Sequence, residues 1–540
     1  MEKILITGDD LTVEQVVKIA LGENGKYAQV ELGNLDKVQK SVDYIDGKVK
    51  NKEVIYGVTT GFGPNAEKII PPERAKQLQV NLLRSHSCGV GKMFPTYIVR
   101  AIMLIRLNTL LKGFSGVHKT TVRQLQNFLN HEIHPLIPEQ GSVGASGDLC
   151  PLSHMALALI GEGYVEFQGT EFKTNEMFSL PGIKEKKLKP IELSYKEGIA
   201  LNNGTTVMAA LGVFAVYEFE RLLKLATLTS SLMLEAYCAR KTAFDEKIHA
   251  VRNHAEQSEV ARWIRSFTEN STYIGIEPET LAGKFDALAK LKVKPQDAYS
   301  FRCIPQVFGA SLRALNHAKE IFAGEINAVV DNPIIFVDED EIISGGNFHG
   351  QPLALALDYL KLAIAEVGNI VERQINKLVD KATNDLLEPF LVYDDQHINS
   401  GLMIPQYVAA SLVSENKVLV HPASADSIPT SANTEDHVSM GTIAGRQAVE
   451  ILGNVKKIVT IAILTAHHAA EIRQNQFMKF GVEATFAKAT GELYDEVKFA
   501  IPAFNYGNFL YEDRFIFDDI QDLADNYDNF VSIAESNLKK

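Results

Sequence analysis

Gly141-Ser142-Val143-Gly144-Ala145-Ser146-Gly147-Asp148-Leu149 runs directly into Cys150-Pro151-Leu152-Ser153-His154-Met155-Ala156-Leu157-Ala158-Leu159-Ile160. Three glycines in seven residues make a loop that can turn tightly. The apolar stretch behind it, with Pro151 near its first turn, predicts a helix start. At the centre stands Ala145-Ser146-Gly147. The Gly147 nitrogen has no side chain beside it, so it can attack the Ala145 carbonyl and close a five-membered ring. Loss of water from that ring, and of the Ser146 hydroxyl, would leave a methylidene-imidazolone. Such a group is an electrophile, which no ordinary side chain is. A glycine loop compressed against a helix is where a strained backbone is pressed toward this cyclisation.

Outward from the loop, the pattern of the chain changes. The first 200 residues are mixed, with β-like pieces at Ile4-Leu5-Ile6 and Val54-Ile55-Tyr56 and a helical pattern from Tyr97 to Leu111. Turn residues are dense from Gly57 to Pro64, and Ile183 to Pro190 reads as an exposed connector. From Thr205 the pattern becomes strongly helical. Thr205–Arg240, Gln351–Asp380 and Gly441–Gln474 are long and contain almost no breakers after their first turn. Helices of about 30 residues, apolar on more than one face, belong at the centre of a large bundle. The expected fold is mainly α, with a mixed part at 1–200 carrying the loop, a long-helix bundle at 201–480 and a helical segment at 481–540.

The chain has 540 residues, 46% of them hydrophobic, and a net charge of −13. That length allows a large core and, by itself, about two to four domains. The acidic balance argues against nucleic acid or an anionic membrane as partner. No run of about 18 apolar residues predicts a membrane span. Met1-Glu2-Lys3-Ile4-Leu5 does not read as a secretory signal, and Cys88, Cys150, Cys238 and Cys303 form no CxxC pair. The expectation is a cytoplasmic protein with free thiols. Gly89-Val90-Gly91-Lys92 lacks the residues of a phosphate loop. His467 and His468 would point about 100° apart on a helix, a poor metal pair, so no metal is expected.

Gly141–Glu162 closely resembles the signature of the aromatic amino acid ammonia-lyases, which include histidine, tyrosine and phenylalanine enzymes. The resemblance runs from about Leu5 to about Val459. It includes Tyr56-Gly57-Val58-Thr59-Thr60-Gly61-Phe62-Gly63, Asn203-Gly204-Thr205 and Gln296-Asp297-Ala298-Tyr299-Ser300-Phe301-Arg302-Cys303. Asp331-Asn332-Pro333, Gly345-Gly346-Asn347-Phe348-His349-Gly350, Ser414-Glu415-Asn416-Lys417 and Glu435-Asp436-His437-Val438-Ser439-Met440 complete the series. The family is mainly helical and homotetrameric, with each active site built from three subunits. It implies elimination of ammonia from an aromatic amino acid, through a methylidene-imidazolone made from Ala145-Ser146-Gly147 and without an external cofactor.

Within that resemblance Tyr56 is the expected base for the β-proton. Arg302 is the expected clamp for the substrate carboxylate, since a guanidinium fork matches a carboxylate in bidentate fashion. Asn203, Gln296 and Tyr299 match pocket positions, and Phe348 is placed to pack on the substrate ring. Ser85-His86 falls at the selectivity position and resembles the histidine-acting members, although some tyrosine-acting members share it. Glu415 also resembles the histidine-acting members: a carboxylate can accept from an imidazole N–H, but would lie buried and unpaired against a phenyl ring. The favoured product is therefore urocanate from histidine. Coumarate from tyrosine, an aminomutase product and an inactive scaffold are the alternatives. One stretch departs from the family. In Ile458–Arg473, Ala462, His468 and Glu471 stand where most relatives have glutamate, glutamine and aspartate.

Overall fold

The computed structural model describes residues 2–538 except 24, 276–295, 385, 394–395 and 507–508. Helices dominate, and the strands are few and short. The fold is mainly α, as the pattern predicts. Five of its helices are Thr206–Ala236, Ile304–Glu325, Gln351–Val379, Met403–Leu419 and Gly441–Lys479. Three of these coincide with the long uninterrupted runs read from the sequence. No helix among the described residues is long and apolar enough to cross a membrane.

The chain forms two compact units, each assembled from three separated segments. The first comprises Met1–Tyr217, His317–Asp358 and Pro422–Val449; the second comprises Glu218–Asn316, Tyr359–His421 and Glu450–Lys540. Four of the five boundaries fall inside long helices, and the fifth follows Met403–Leu419.

In the first unit, the helix Thr96–Leu111 is buried from Ile98 to its end, so it is core on all sides. Its cation Arg100 is satisfied by the carbonyls of Ile19 and Leu129 and lies 3.6 Å over the Tyr27 ring. Gly212 lets the helix Thr206–Ala236 meet Phe322: a Cβ there would lie 2.0 Å from the phenyl ring. The strands form small ribbons. Lys3–Ile6 pairs in parallel with Gln29–Leu32, and Ile133–Pro135, Tyr164–Phe167 and Thr170–Lys173 make an antiparallel sheet. The β-like piece Val54-Ile55-Tyr56 is not a strand. The Ile55 carbonyl accepts from the backbone of Val58 and Thr59, and the Thr59 hydroxyl accepts from the Ile55 N–H. Local bonds thus fold this segment into a turn before it can pair.

In the second unit, Tyr273 stacks between Phe477 and Phe486, at 5.3 and 4.5 Å between ring centroids. The departing stretch packs here. Ala462 is fully buried. His468 is buried with Nδ1 on the Leu464 carbonyl and Nε2 3.2 Å from Arg514. Burial and that guanidinium hold His468 down to about 3, so it is neutral at pH 7. Glu471 pairs with Lys498 at 3.0 Å. These replacements form a packed interior of aromatic rings and internally paired charges.

Glu235, near the end of Thr206–Ala236, accepts from the Ala487 N–H at 2.9 Å, at the start of Lys488–Ala500. Burial pushes its carboxyl up to about 7, against the pull of hydrogen bonds from Ser271, Thr490 and Ala487. The folded state therefore holds the proton more tightly than the unfolded chain does. This stabilisation is complete below the ordinary glutamate value and is lost as pH rises to about 7. Its size is on the order of 3 kcal/mol. Glu235→Gln, which stays neutral, is expected to flatten the decline in melting temperature across that window. An unchanged decline in thermal melts from pH 5 to 8 would refute the role.

Candidate active site

The glycine loop is held from three directions within the first unit. Asp148 is fully buried, and its carboxylate accepts from the Val207 and Met208 N–H groups at 2.8 and 3.0 Å. These are unsatisfied donors at the N-terminus of Thr206–Ala236, where negative charge is favoured. Ser142 and Thr442 donate to the same carboxylate at 3.0 and 2.5 Å. Burial raises the Asp148 carboxyl, and these four bonds oppose the rise. The Gly144 carbonyl accepts from the Ser439 hydroxyl, and the Val143 carbonyl from the Met440 N–H. Ala145 packs with Val438 and Met440.

Gly147 has φ +74°, and a Cβ there would lie 2.1 Å from the Gly204 carbonyl oxygen. Only glycine fits this close approach. The Ser146 carbonyl accepts from Asn203 Nδ2 at 2.9 Å and from the Gly204 N–H at 3.1 Å. The Ser146 hydroxyl donates to Glu435 Oε1 at 2.5 Å. Thr430 holds the other carboxylate oxygen at 3.1 Å, and its backbone pairs with that of Glu435 across the short turn between them.

Tyr56 sits in the folded turn, where its hydroxyl accepts from the Gly63 N–H at 3.2 Å. Gln79 fixes that turn by donating to the Gly57 carbonyl while accepting from the Ile199 N–H. His86 is the last residue of the helix Pro72–His86. Its ring is half-buried. Burial holds it below the usual imidazole value, and the charge of Glu435 pulls the other way.

Tyr56, His86, Ala145, Ser146, Asn203 and Phe348 line one cavity of about 1060 Å³, together with Glu435, His349 and His437. Six of the residues singled out from the sequence are thus brought together, and Gly147 lies in the loop behind them. Four others belong to the second unit. Gln296 is exposed, and Tyr299 is 72% exposed. Arg302 donates to the Asp297 carbonyl and lies 4.4 Å over the Tyr299 ring. Glu415 is exposed on the helix Met403–Leu419. The cavity of this chain holds a carboxylate that the sequence reading did not assign, Glu435 beside Ser146. Its signal in the sequence was the Glu435-Asp436-His437 motif, which gave resemblance without a role. Asp148, whose buried carboxylate anchors the loop, was also passed over, although it directly follows the tripeptide.

A family model for aromatic amino acid lyases matches residues 11–498, and the chain belongs to that family, which makes it a carbon–nitrogen lyase. Among characterised relatives, it is 44% identical to histidine ammonia-lyase of Bacillus subtilis over 522 residues, covering 97% of this chain and 96% of the relative. It is 45% identical to histidine ammonia-lyase of Caldanaerobacter subterraneus subsp. tengcongensis over 520 residues, covering 96% and 95%. Among solved structures, histidine ammonia-lyase from Trypanosoma cruzi superposes with a TM-score of 0.86 at 33% identity, covering 100% and 96% of the two chains. Tyrosine aminomutase from Streptomyces globisporus superposes with a TM-score of 0.88 at 34% identity, covering 100% and 99%.

Proposed function

We propose that this protein is a histidine ammonia-lyase, converting L-histidine to urocanate and ammonia. The observation that carries this reading is one cavity holding Ser146, Tyr56, His86 and Glu435 together, in a chain 44% identical to histidine ammonia-lyase over nearly its full length. The residues present fit a methylidene-imidazolone formed from Ala145-Ser146-Gly147. Gly147 is confined to glycine by Gly204, the Ser146 hydroxyl that must leave touches a carboxyl, and Asn203 holds the Ser146 carbonyl. When formed, the group supplies an electrophilic carbon to which the substrate amine can bond.

The rest of the chemistry belongs to side chains. The Tyr56 oxygen takes the β-proton. Asn203 orients the tripeptide. Phe348 packs on the imidazole, while His86 accepts from its N–H. Glu415, the carboxylate expected to read the ring, stands exposed on Met403–Leu419 and is offered to the cavity of a neighbouring copy. Arg302 binds the substrate carboxylate, with Gln296 and Tyr299 beside it. These three are offered to the cavity of a neighbouring copy, in a homotetramer whose active sites each draw on three chains. Exposed Ile404, Tyr407 and Val418 on Met403–Leu419 support burial between copies. The cytoplasm is the proposed location.

Incubation of purified protein with histidine, tyrosine and phenylalanine, with product identification by ultraviolet absorbance and chromatography, tests the reading. Urocanate and ammonia are expected. Coumarate as the main product, or a β-amino acid, overturns the histidine assignment. The similarity to a tyrosine aminomutase makes the second outcome the informative rival.

A further inference from the structure

Ser85 lies beside His86 in the lining of the cavity. The Ser85 hydroxyl donates to the Leu82 carbonyl at 3.1 Å and lies 2.9 Å from His86 Nδ1. A serine hydroxyl has one hydrogen and two lone pairs. With that hydrogen on the Leu82 carbonyl, which can only accept, the Ser85 oxygen is the acceptor in its contact with the ring, and Nδ1 the donor. A hydrogen bond with the Leu82 carbonyl favours the protonated ring, against the larger effect of burial.

We propose that Ser85 is a positioning residue that fixes His86 as the Nδ1–H tautomer, so that its bare Nε2 accepts a hydrogen bond from a ring-bound donor of the substrate. A neutral imidazole carries one proton on its two nitrogens, so pinning it at Nδ1 empties Nε2. Burial keeps the ring neutral. His86 Nε2 and the Glu435 carboxylate then present two acceptors to the same cavity. An imidazole N–H or a phenol O–H satisfies an acceptor. A phenyl ring satisfies neither, and burying an unmet acceptor against it carries a penalty. Ser85, which also lines the cavity, thereby sets selectivity for rings bearing a donor through His86. The substrate half of this inference rests on the histidine reading above; the tautomer half does not.

Solid-state ¹⁵N spectra of the full-length resting protein, labelled at the histidine ring nitrogens, test the tautomer directly. His86→Gln assigns the signals. A protonated Nδ1 with an unprotonated Nε2 is expected, and the reverse pattern overturns the proposal whatever the enzyme turns over. Kinetics test the positioning role. Ser85→Ala is expected to raise KM for histidine about 3- to 10-fold, the equivalent of one hydrogen bond. Its kcat should stay within about twofold, since the contact is made equally in ground and transition states. Ser85→Thr, which keeps the hydroxyl, should restore KM. An unchanged KM in Ser85→Ala, or a high KM in a folded Ser85→Thr, overturns the role. If the parent enzyme ignores histidine, the substrate reading fails while the spectra still decide the tautomer.

Discussion

Ser146→Ala is expected to lower histidine turnover by on the order of 10³-fold or more, beyond the ~10²–10³ that loss of one electrostatic stabiliser typically costs. Alanine cannot lose a hydroxyl to give the methylidene carbon, so the electrophile is absent rather than weakened. The amine remains a poor leaving group, and no other side chain substitutes for an electrophilic carbon. The fold should survive. The loop is held by Asp148, Ser142, Thr442, Ser439 and the backbone of Gly204, none of which uses the Ser146 side chain. Three measurements decide the matter: turnover, thermal melting and intact mass. The parent should weigh two waters less than its sequence, and the variant should lack the double loss. Undiminished turnover in the variant would end the assignment, as would a parent of unmodified mass that still makes urocanate.

Tyr56→Phe is expected to lower kcat by about 10²–10⁴, the usual contribution of a positioned general base. The hydroxyl is the only group removed, and the ring keeps its edge contact with Phe62. The Gly63 N–H loses an acceptor, a small structural effect beside the catalytic one. A base that acts on the β-proton matters in the transition state more than in substrate binding, so KM should move little. The split between kcat and KM is therefore the decisive readout. A variant with normal kcat and a raised KM would make Tyr56 a binding residue and send the search for the base elsewhere in the cavity.

The long helices were legible because their signal is local. An apolar run with few breakers and no need of distant partners is a helix wherever it lands, as Gly441–Lys479 demonstrates. The misreading at Val54-Ile55-Tyr56 has a local cause too: β-branched residues read as strand, but the Thr59 hydroxyl competes for the backbone. The two compact units were not legible, because each gathers segments hundreds of residues apart. The glycine loop was singled out from bond chemistry, since Ala145-Ser146-Gly147 needs only its own atoms to cyclise. Glu435 could not be read in the same way. It meets Ser146 across 289 positions of sequence, and a glutamate says nothing of which distant hydroxyl it will find. Glu415 and Glu435 each stood in a resembling motif, and the single chain places only Glu435 in its own cavity.

Asp148 ties the reactive loop to the first turn of a 31-residue helix, whereas His86 stands at the tip of another helix and Glu435 in a short surface turn. The loop proposed to carry the electrophile is tied to a long helix, and the residues proposed to read the side group sit at a helix end and in a short turn. Under that proposal, changes in substrate preference can accumulate at those two places while the anchor of the loop is untouched. For an engineer, those are the places to redesign, and Asp148 is the residue to leave alone.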